Sequence, residues 1–507
     1  MGVRGWALGL LAVSAPAAAE WQKATTPHFV IYSDTSTEAI TTLATRLERV
    51  DAAMRLVYSM PDTPESAANP VTVYVLDDAA AIRKLSRRSD IAGFYVGRAD
   101  GSVAFTPRRG EGAGPGSLSP QIVLFHEYAH HLLLSNSTTA FPAWFSEGYA
   151  EFVATARFDE GVTVLGGGAQ HRAYGLFAPK SLPMATLFEP SAKLDAQQRD
   201  QIYGYGWLLT HYLMFDPKRR ASFQAYLKAI NSGTPSLKAA TDAFGDLKEL
   251  DRALRKYLFA RTLPAFSIKN ERLPTPRIDL RYLTPGERAL IDMRMVSTRG
   301  VDEKEAATLY ARASAAAKSH PADAVAQGWL AEMAYDAGRD DEAEAAADRA
   351  LAADPKAVQA LLYKGRVRLR RAVAAKATDP KLWGEARSWV VKANRVNPNA
   401  AGALALYYDS FAMAGAKPNK SAVAGIHRAV ELVPQDGGLR FRSASQLLID
   451  GETERAKQAL RPLAFDPHGG VNNPAARLIA MIDKGTAGPA ALAALAVEED
   501  AKATVPD

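Results

Sequence analysis

The stretch His126-Glu127-Tyr128-Ala129-His130, read together with Trp144-Phe145-Ser146-Glu147-Gly148-Tyr149-Ala150-Glu151, decides how this chain is understood. Residues four apart on an α-helix share a face, roughly 6 Å from one another. His126 and His130 can therefore turn both imidazoles toward one zinc ion, and Glu127 points to the side where a zinc-bound water would sit. A catalytic zinc takes three protein ligands and keeps a fourth position open. Glu147 and Glu151 are also four apart and share a face. One carboxylate can complete the ligand set, and Glu147 is the candidate. The other can accept the free ring N–H of a ligating histidine and fix its orientation.

The surroundings favour this reading. Ser119-Pro120 has the form of an N-cap followed by proline at the first helical position. Ile122, Val123, Leu124, Phe125, Leu132, Leu133 and Leu134 then make the helix largely apolar. Two histidines and a glutamate inside it need partners, because buried polar groups without them cost several kcal/mol. The plain alternative is a pair of core histidines bonded to backbone. Pro142 ends the preceding loop, and residues 143–153 read as an amphipathic helix. Trp144, Phe145, Tyr149 and Phe152 argue that Glu147 and Glu151 are not simply solvated.

His126-Glu127-x-x-His130 followed by Glu147 resembles the gluzincin metallopeptidases. The segment Trp144 to Glu151 is similar to the Trp-Leu-x-Glu-Gly-x-Ala stretch of the aminopeptidase N type. Roughly residues 25–262 most resemble the bacterial peptidase MA-like family. The resemblance implies an α+β zincin-like metallopeptidase domain with one zinc ion held by His126, His130 and Glu147. Glu127 is then general base and proton shuttle, Glu151 supports a ligand from behind, and the substrate is a peptide or protein. The Tyr-x-x-Gly motif of aminopeptidase-like gluzincins matches Tyr203 and Gly206. It implies that Tyr203 donates to the oxyanion formed on the attacked carbonyl. Tyr205 and His211, on the same apolar helix, are further candidates for that role. By the same resemblance, residues 103–106 are the edge strand that pairs with an extended substrate. No Gly-x-Met-x-Asn exopeptidase signature is present.

Composition limits the classes available. The 48% hydrophobic and 23% charged fractions are those of a globular protein. The chain, 507 residues long, exceeds one compact core. The net charge of +6 comes without a dense basic stripe, so no nucleic-acid partner is expected. Arg4, a short apolar run and Ala17-Ala18-Ala19 read as a cleavable signal peptide over residues 1–19. No later run is apolar enough to span a bilayer. With no cysteine there is neither a disulfide nor a lipid-anchoring thiol. A periplasmic or secreted location in a Gram-negative bacterium follows as the expectation.

The domain reading is signal peptide 1–19, metallopeptidase domain 20–263, linker 264–284, helical repeats 285–484 and tail 485–507. Within the first domain, strands are expected near residues 28–32 and 71–76 and helices over 35–60 and 77–88. A hairpin over residues 93–106 turns at Asp100-Gly101. The Gly-rich stretch 108–116 reads as a loop near the cleft, and Gly166-Gly167-Gly168 as a hinge. Beyond the linker, Pro321, Pro355, Pro398, Pro434 and Pro467 recur every 33 to 43 residues. One unit runs Trp329-Leu330-Ala331, Tyr335, Gly338, Ala343, Ala350-Leu351 and Pro355. It resembles a tetratricopeptide repeat, which implies an all-α solenoid of about four repeats with a concave protein-binding face. Two rival functions stand beside a peptidase. One is an exported repeat scaffold whose zincin domain has lost hydrolysis, and the other a zinc hydrolase of a non-peptide amide.

Overall fold

The computed structural model describes residues 20–503 apart from 65–66, 90, 111–116, 136–138, 179, 190–193 and 466–472. The signal-peptide reading, residues 111–116 of the Gly-rich stretch, Pro467 and residues 504–507 lie outside that set. The chain opens with β1 (Gln22–Thr25), β2 (Phe29–Ser33), α1 (Thr37–Tyr58), β3 (Val71–Asp78) and α2 (Ala79–Ser86). It continues through β4 (Phe94–Val96), β5 (Val103–Arg109), α3 (Pro120–Ser135) and α4 (Ala143–Ala154). Next come β6 (Arg157–Asp159), β7 (Val162–Leu165) and two short helices, α5 (Ala173–Leu176) and α6 (Met184–Phe188). Four longer helices follow: α7 (Ala196–Met214), α8 (Pro217–Asn231), α9 (Ser236–Phe244) and α10 (Leu247–Leu258).

The main sheet has the order β4-β5-β3-β2-β1, with a further strand beyond β1. Strands β2, β3 and β5 are parallel, while β4 and β1 run antiparallel to their neighbours. Side chains alternate between faces along a strand, and here both faces are covered. Ile31, Val73 and Ala104 join α1, α3 and α4 in one core. Tyr32, Tyr74 and Phe105 point the other way and, with Phe94, form a ladder of aromatic rings in cross-strand register. Successive centroids are 5.2, 5.3 and 4.6 Å apart.

That second face is buried by the C-terminal helices. They form six consecutive pairs among the described residues. The first three are α11 (Pro285–Arg299) with α12 (Glu303–Ala317), α13 (Ala324–Asp336) with α14 (Asp340–Ala353), and α15 (Val358–Ala374) with α16 (Pro380–Val396). The last three are α17 (Ala401–Met413) with α18 (Lys420–Leu432), α19 (Gly437–Ile449) with α20 (Thr453–Ala464), and α21 (Pro474–Asp483) with α22 (Gly488–Ala503). Ala331 and Ala334 of α13 meet Ala343, Ala346, Ala347 and Ala350 of α14, all fully buried. Trp329 lies edge-on to Tyr32 at 6.3 Å, inside a core shared by sheet and array. Among the described residues no helix is long and apolar enough to cross a membrane.

Four expectations change. Residues 264–284 are no free linker: β8 (Phe266–Lys269) pairs with β7, and β9 (Asp279–Tyr282) pairs with β1 at the edge of the main sheet. Short strands between prolines look like extended connector, and only distant partners reveal them. The array has six pairs, not four repeats, because α11/α12 and α21/α22 lack a recognisable repeat pattern. The stretch 485–507, expected as a tail, carries α22, whose Ala491 and Leu495 are buried in the last core cluster. Finally, residues 103–106 are interior. β5 has β3 on one side and β4 on the other, so the edge strand on this side of the sheet is β4.

The tip of the β4–β5 hairpin reaches the helices lining the array's inner side. Asp100 pairs with Arg366 at 2.7 Å, and the Ala99 N–H donates to Asp436 at 2.7 Å. Gln435 bonds both Ser102 of β5's approach and Ser135 at the end of α3, each at 3.2 Å. A cavity of about 610 Å³ remains between sheet and array, lined among others by Tyr74, Asp100, Arg294, Glu332 and Arg366.

Candidate metal centre

Helix α3 starts where Ser119 Oγ accepts the Ile122 N–H at 3.3 Å, one residue before Pro120. It buries Val123, Leu124, Phe125, Tyr128, Leu132 and Leu133 and leaves His126, Glu127 and His130 half-buried on the opposite side. Every residue of α4 after Ala143 is buried. The two helices bring Glu147 Oε2 within 3.4 Å of His126 Nε2 and 3.7 Å of His130 Nε2. The two Nε2 atoms are 3.3 Å apart. Ligand bonds of about 2.0–2.2 Å at tetrahedral angles put donor atoms about 3.3–3.6 Å from one another. The spacing and the two-nitrogen, one-carboxylate donor set therefore fit zinc.

The other ring nitrogens face supporting groups. His126 Nδ1 lies 3.0 Å from Glu151 Oε1, and His130 Nδ1 lies 3.3 Å from Ser146 Oγ. This turns Nε2 of each ring toward Glu147, the arrangement a metal ligand set requires. Electrostatics agree. Burial works against charge on His126, yet Glu147 and Glu151 outweigh it and raise its pKa to about 10. Burial likewise opposes the Glu147 charge, but His130 and His126 hold the carboxyl far below its ordinary range. The site thus favours a positive charge between its carboxylates.

What brings α7 to this site is a contact between two glycines. A Cβ on Gly148 would lie 2.2 Å from the Gly206 carbonyl oxygen, and a Cβ on Gly206 would lie 2.5 Å from the Trp144 carbonyl oxygen. Only glycine at both places lets the helices cross this closely. The crossing sets Tyr203, one turn before Gly206, beside the metal site, its ring centroid 6.0 Å from that of His126. Burial raises the Tyr203 pKa and the Glu147 charge adds to it, so the hydroxyl stays a proton donor. Glu127 is close enough for its charge to act on both Tyr203 and Tyr95 of β4.

The other two candidates on α7 lie elsewhere. His211 is fully buried, with Nε2 2.9 Å from the Gly166 carbonyl oxygen and Nδ1 2.9 Å from the Tyr257 hydroxyl. Both ring nitrogens are used, so it serves the core and not an oxyanion. Tyr205 is turned toward α10, where Arg255 and Asp251 act on it. The expected hinge at residues 166–168 is pinned by the His211 bond at Gly166. That glycine also has φ +78° and lies against the Phe152 ring.

Two features went unread in the sequence. His171 and Arg172, on a single turn before α5, both bond Glu151: His171 Nε2 at 2.5 Å and Arg172 Nη2 at 2.6 Å. Beneath α3, His28 Nδ1 meets Glu48 at 2.9 Å, Arg55 donates to Asp51 at 2.7 Å, and the Tyr128 hydroxyl donates to Asp51 at 2.5 Å. His28, Glu48 and Asp51 also gather closely enough to hold an ion, but Arg55 already supplies the cation there. Glu48, Asp51 and Arg55 share a face of α1 by helical spacing, but no spacing rule links them to His28 or Tyr128, or links His171 and Arg172 to Glu151.

No protein-family profile matches the chain, and no curated protein matches it. Among solved structures, a thermophilic tetratricopeptide-repeat protein of Thermus thermophilus matches with 22% identity and a TM-score of 0.30, covering 36% of this chain and 92% of that one. That score is too low to carry an argument.

Proposed function

We propose that this chain is an exported zinc-dependent peptidase of the gluzincin type, with the helix-pair array as its interaction module. The observation that carries the reading is the convergence of His126 Nε2, His130 Nε2 and Glu147 Oε2 at 3.3–3.7 Å, with Glu127 on the same side of α3. When bound, zinc supplies a Lewis acid for the scissile carbonyl and lowers the pKa of its water to about 7. Glu127 accepts the proton of the attacking water and returns it to the departing amine. Tyr203, held protonated, donates to the oxygen on which negative charge develops. The edge strand β4 is available to an extended peptide backbone. Export rests on residues 1–19 as read from the sequence.

Substituting Glu127→Gln keeps shape and bonding but removes the base. Peptide hydrolysis is expected to fall by at least about 10²-fold, the low end of what general acid–base catalysis contributes. Zinc content by elemental analysis should stay at one per chain. Full activity in that variant would sink the mechanism.

A second reading concerns the array alone. The aromatic ladder packed under Trp329 favours a brace that holds the sheet, in place of a free adaptor.

A further inference from the structure

Glu151 is completely buried, and its two carboxylate oxygens face three donors. Oε1 takes Arg172 Nη2 at 2.6 Å and faces His126 Nδ1 at 3.0 Å, while Oε2 takes His171 Nε2 at 2.5 Å. The side chains of His171 and Arg172 are themselves only 3% and 17% exposed. Arg172 also reaches α7, with Nη1 on Asp200 at 3.1 Å and its guanidinium carbon 4.6 Å from the Tyr203 ring centroid. One planar guanidinium thus touches the carboxylate behind a histidine ligand, the helix that closes the site, and the tyrosine beside it. A carboxylate that orients a ligating histidine is useful only when its own rotamer is fixed. Besides His126, the partners that fix it among the described residues are His171 and Arg172 on their turn.

We propose that His171 and Arg172 are positioning residues of the metal centre, which lock Glu151 so that His126 keeps Nε2 aimed at the ion and, through Arg172, hold Tyr203 over it. The proposal rests on the zinc reading above. Arg172 is suited to the task as lysine is not, because its fork can hold Glu151 and Asp200 at once while its face stacks on an aromatic ring.

The test uses the whole purified chain loaded with cobalt(II), whose visible absorption reports ligand geometry. Chelator competition on the same samples gives affinity. Arg172→Ala and His171→Ala are each expected to bind cobalt roughly 10–100-fold more weakly, with an altered visible spectrum. Arg172→Lys keeps charge and fold but not the fork, so its spectrum should shift as well. His171→Gln can still donate to Glu151 and should return toward wild type. Wild-type affinity and spectrum in Arg172→Lys and in both alanine variants would overturn the proposal while leaving the zinc reading intact. If an alanine variant does not fold, Arg172→Lys and His171→Gln decide alone. Absence of cobalt and zinc binding in the wild type would overturn both.

Discussion

Where α4 crosses α7, two glycines touch, and one added methyl group on either would run into a backbone carbonyl. Where α13 packs on α14, the contact is a row of fully buried alanines. The first contact exists to place a few atoms, because it sets Tyr203 beside His126 and Glu147. The second closes the two helices of one pair on each other. The contrast teaches where sequence is constrained by chemistry and where only by packing.

Four substitutions probe that contrast, in order of expected effect. Gly148→Ala should be the most damaging. Overpacking costs about 1–3 kcal/mol where neighbouring side chains can give way; here the obstacle is a helix backbone that cannot swing aside, so the cost exceeds that range. We expect no stable, metal-binding protein, as measured by thermal unfolding and zinc content. Normal stability would mean that the crossing is looser than the glycine contact implies.

Trp329→Ala comes next. It removes the array side chain that meets the sheet's aromatic ladder and should cost about 3–5 kcal/mol. Because sheet and array share that core, both should melt in one transition at lower temperature. Two separate transitions, with only the array weakened, would break the idea of a common core.

His28 sharpens the comparison from the N-terminal side. Burial lowers its pKa, but Glu48 and Asp51 outweigh this and raise it to about 9 from 6.5. A raised folded-state pKa stabilises while the group is protonated. The contribution is therefore full below about pH 6.5 and fades as pH rises through 9. It is on the order of 3 kcal/mol. Stability of the wild type minus that of His28→Gln, followed by denaturant unfolding from pH 6 to 10, should shrink over that window. A constant difference would contradict the ion-pair assignment.

Asp100→Ala is the mildest. The Asp100–Arg366 pair is partly exposed on both sides, so its loss should cost about 1 kcal/mol or less. A larger loss would show that the hairpin tip anchors the two regions together.

The pair His126 and His130, with Glu127 beside them, was legible because helical spacing is local: four residues make one turn wherever the helix goes. The strands near residues 28–32, 71–76 and 103–106 were legible by alternation and β-branching. The role of β5 was not, because edge or interior depends on which strand lies alongside. Residues 264–284 misled for the same reason, since β8 and β9 are four-residue strands whose partners lie more than 100 residues upstream.

By itself, then, the sequence determined the histidine pair one helical turn apart, the glutamate beside it and the helical nature of the C-terminal half. Each is written in short-range spacing or in residue type. Only the tertiary structure decided that Glu147 faces the two Nε2 atoms while Glu151 braces His126 from behind, that His171 and Arg172 hold that brace, that His211 belongs to the core, and that the array covers the sheet. These depend on contacts between residues far apart in the chain, which form only when the apolar faces of sheet and helices close on one another.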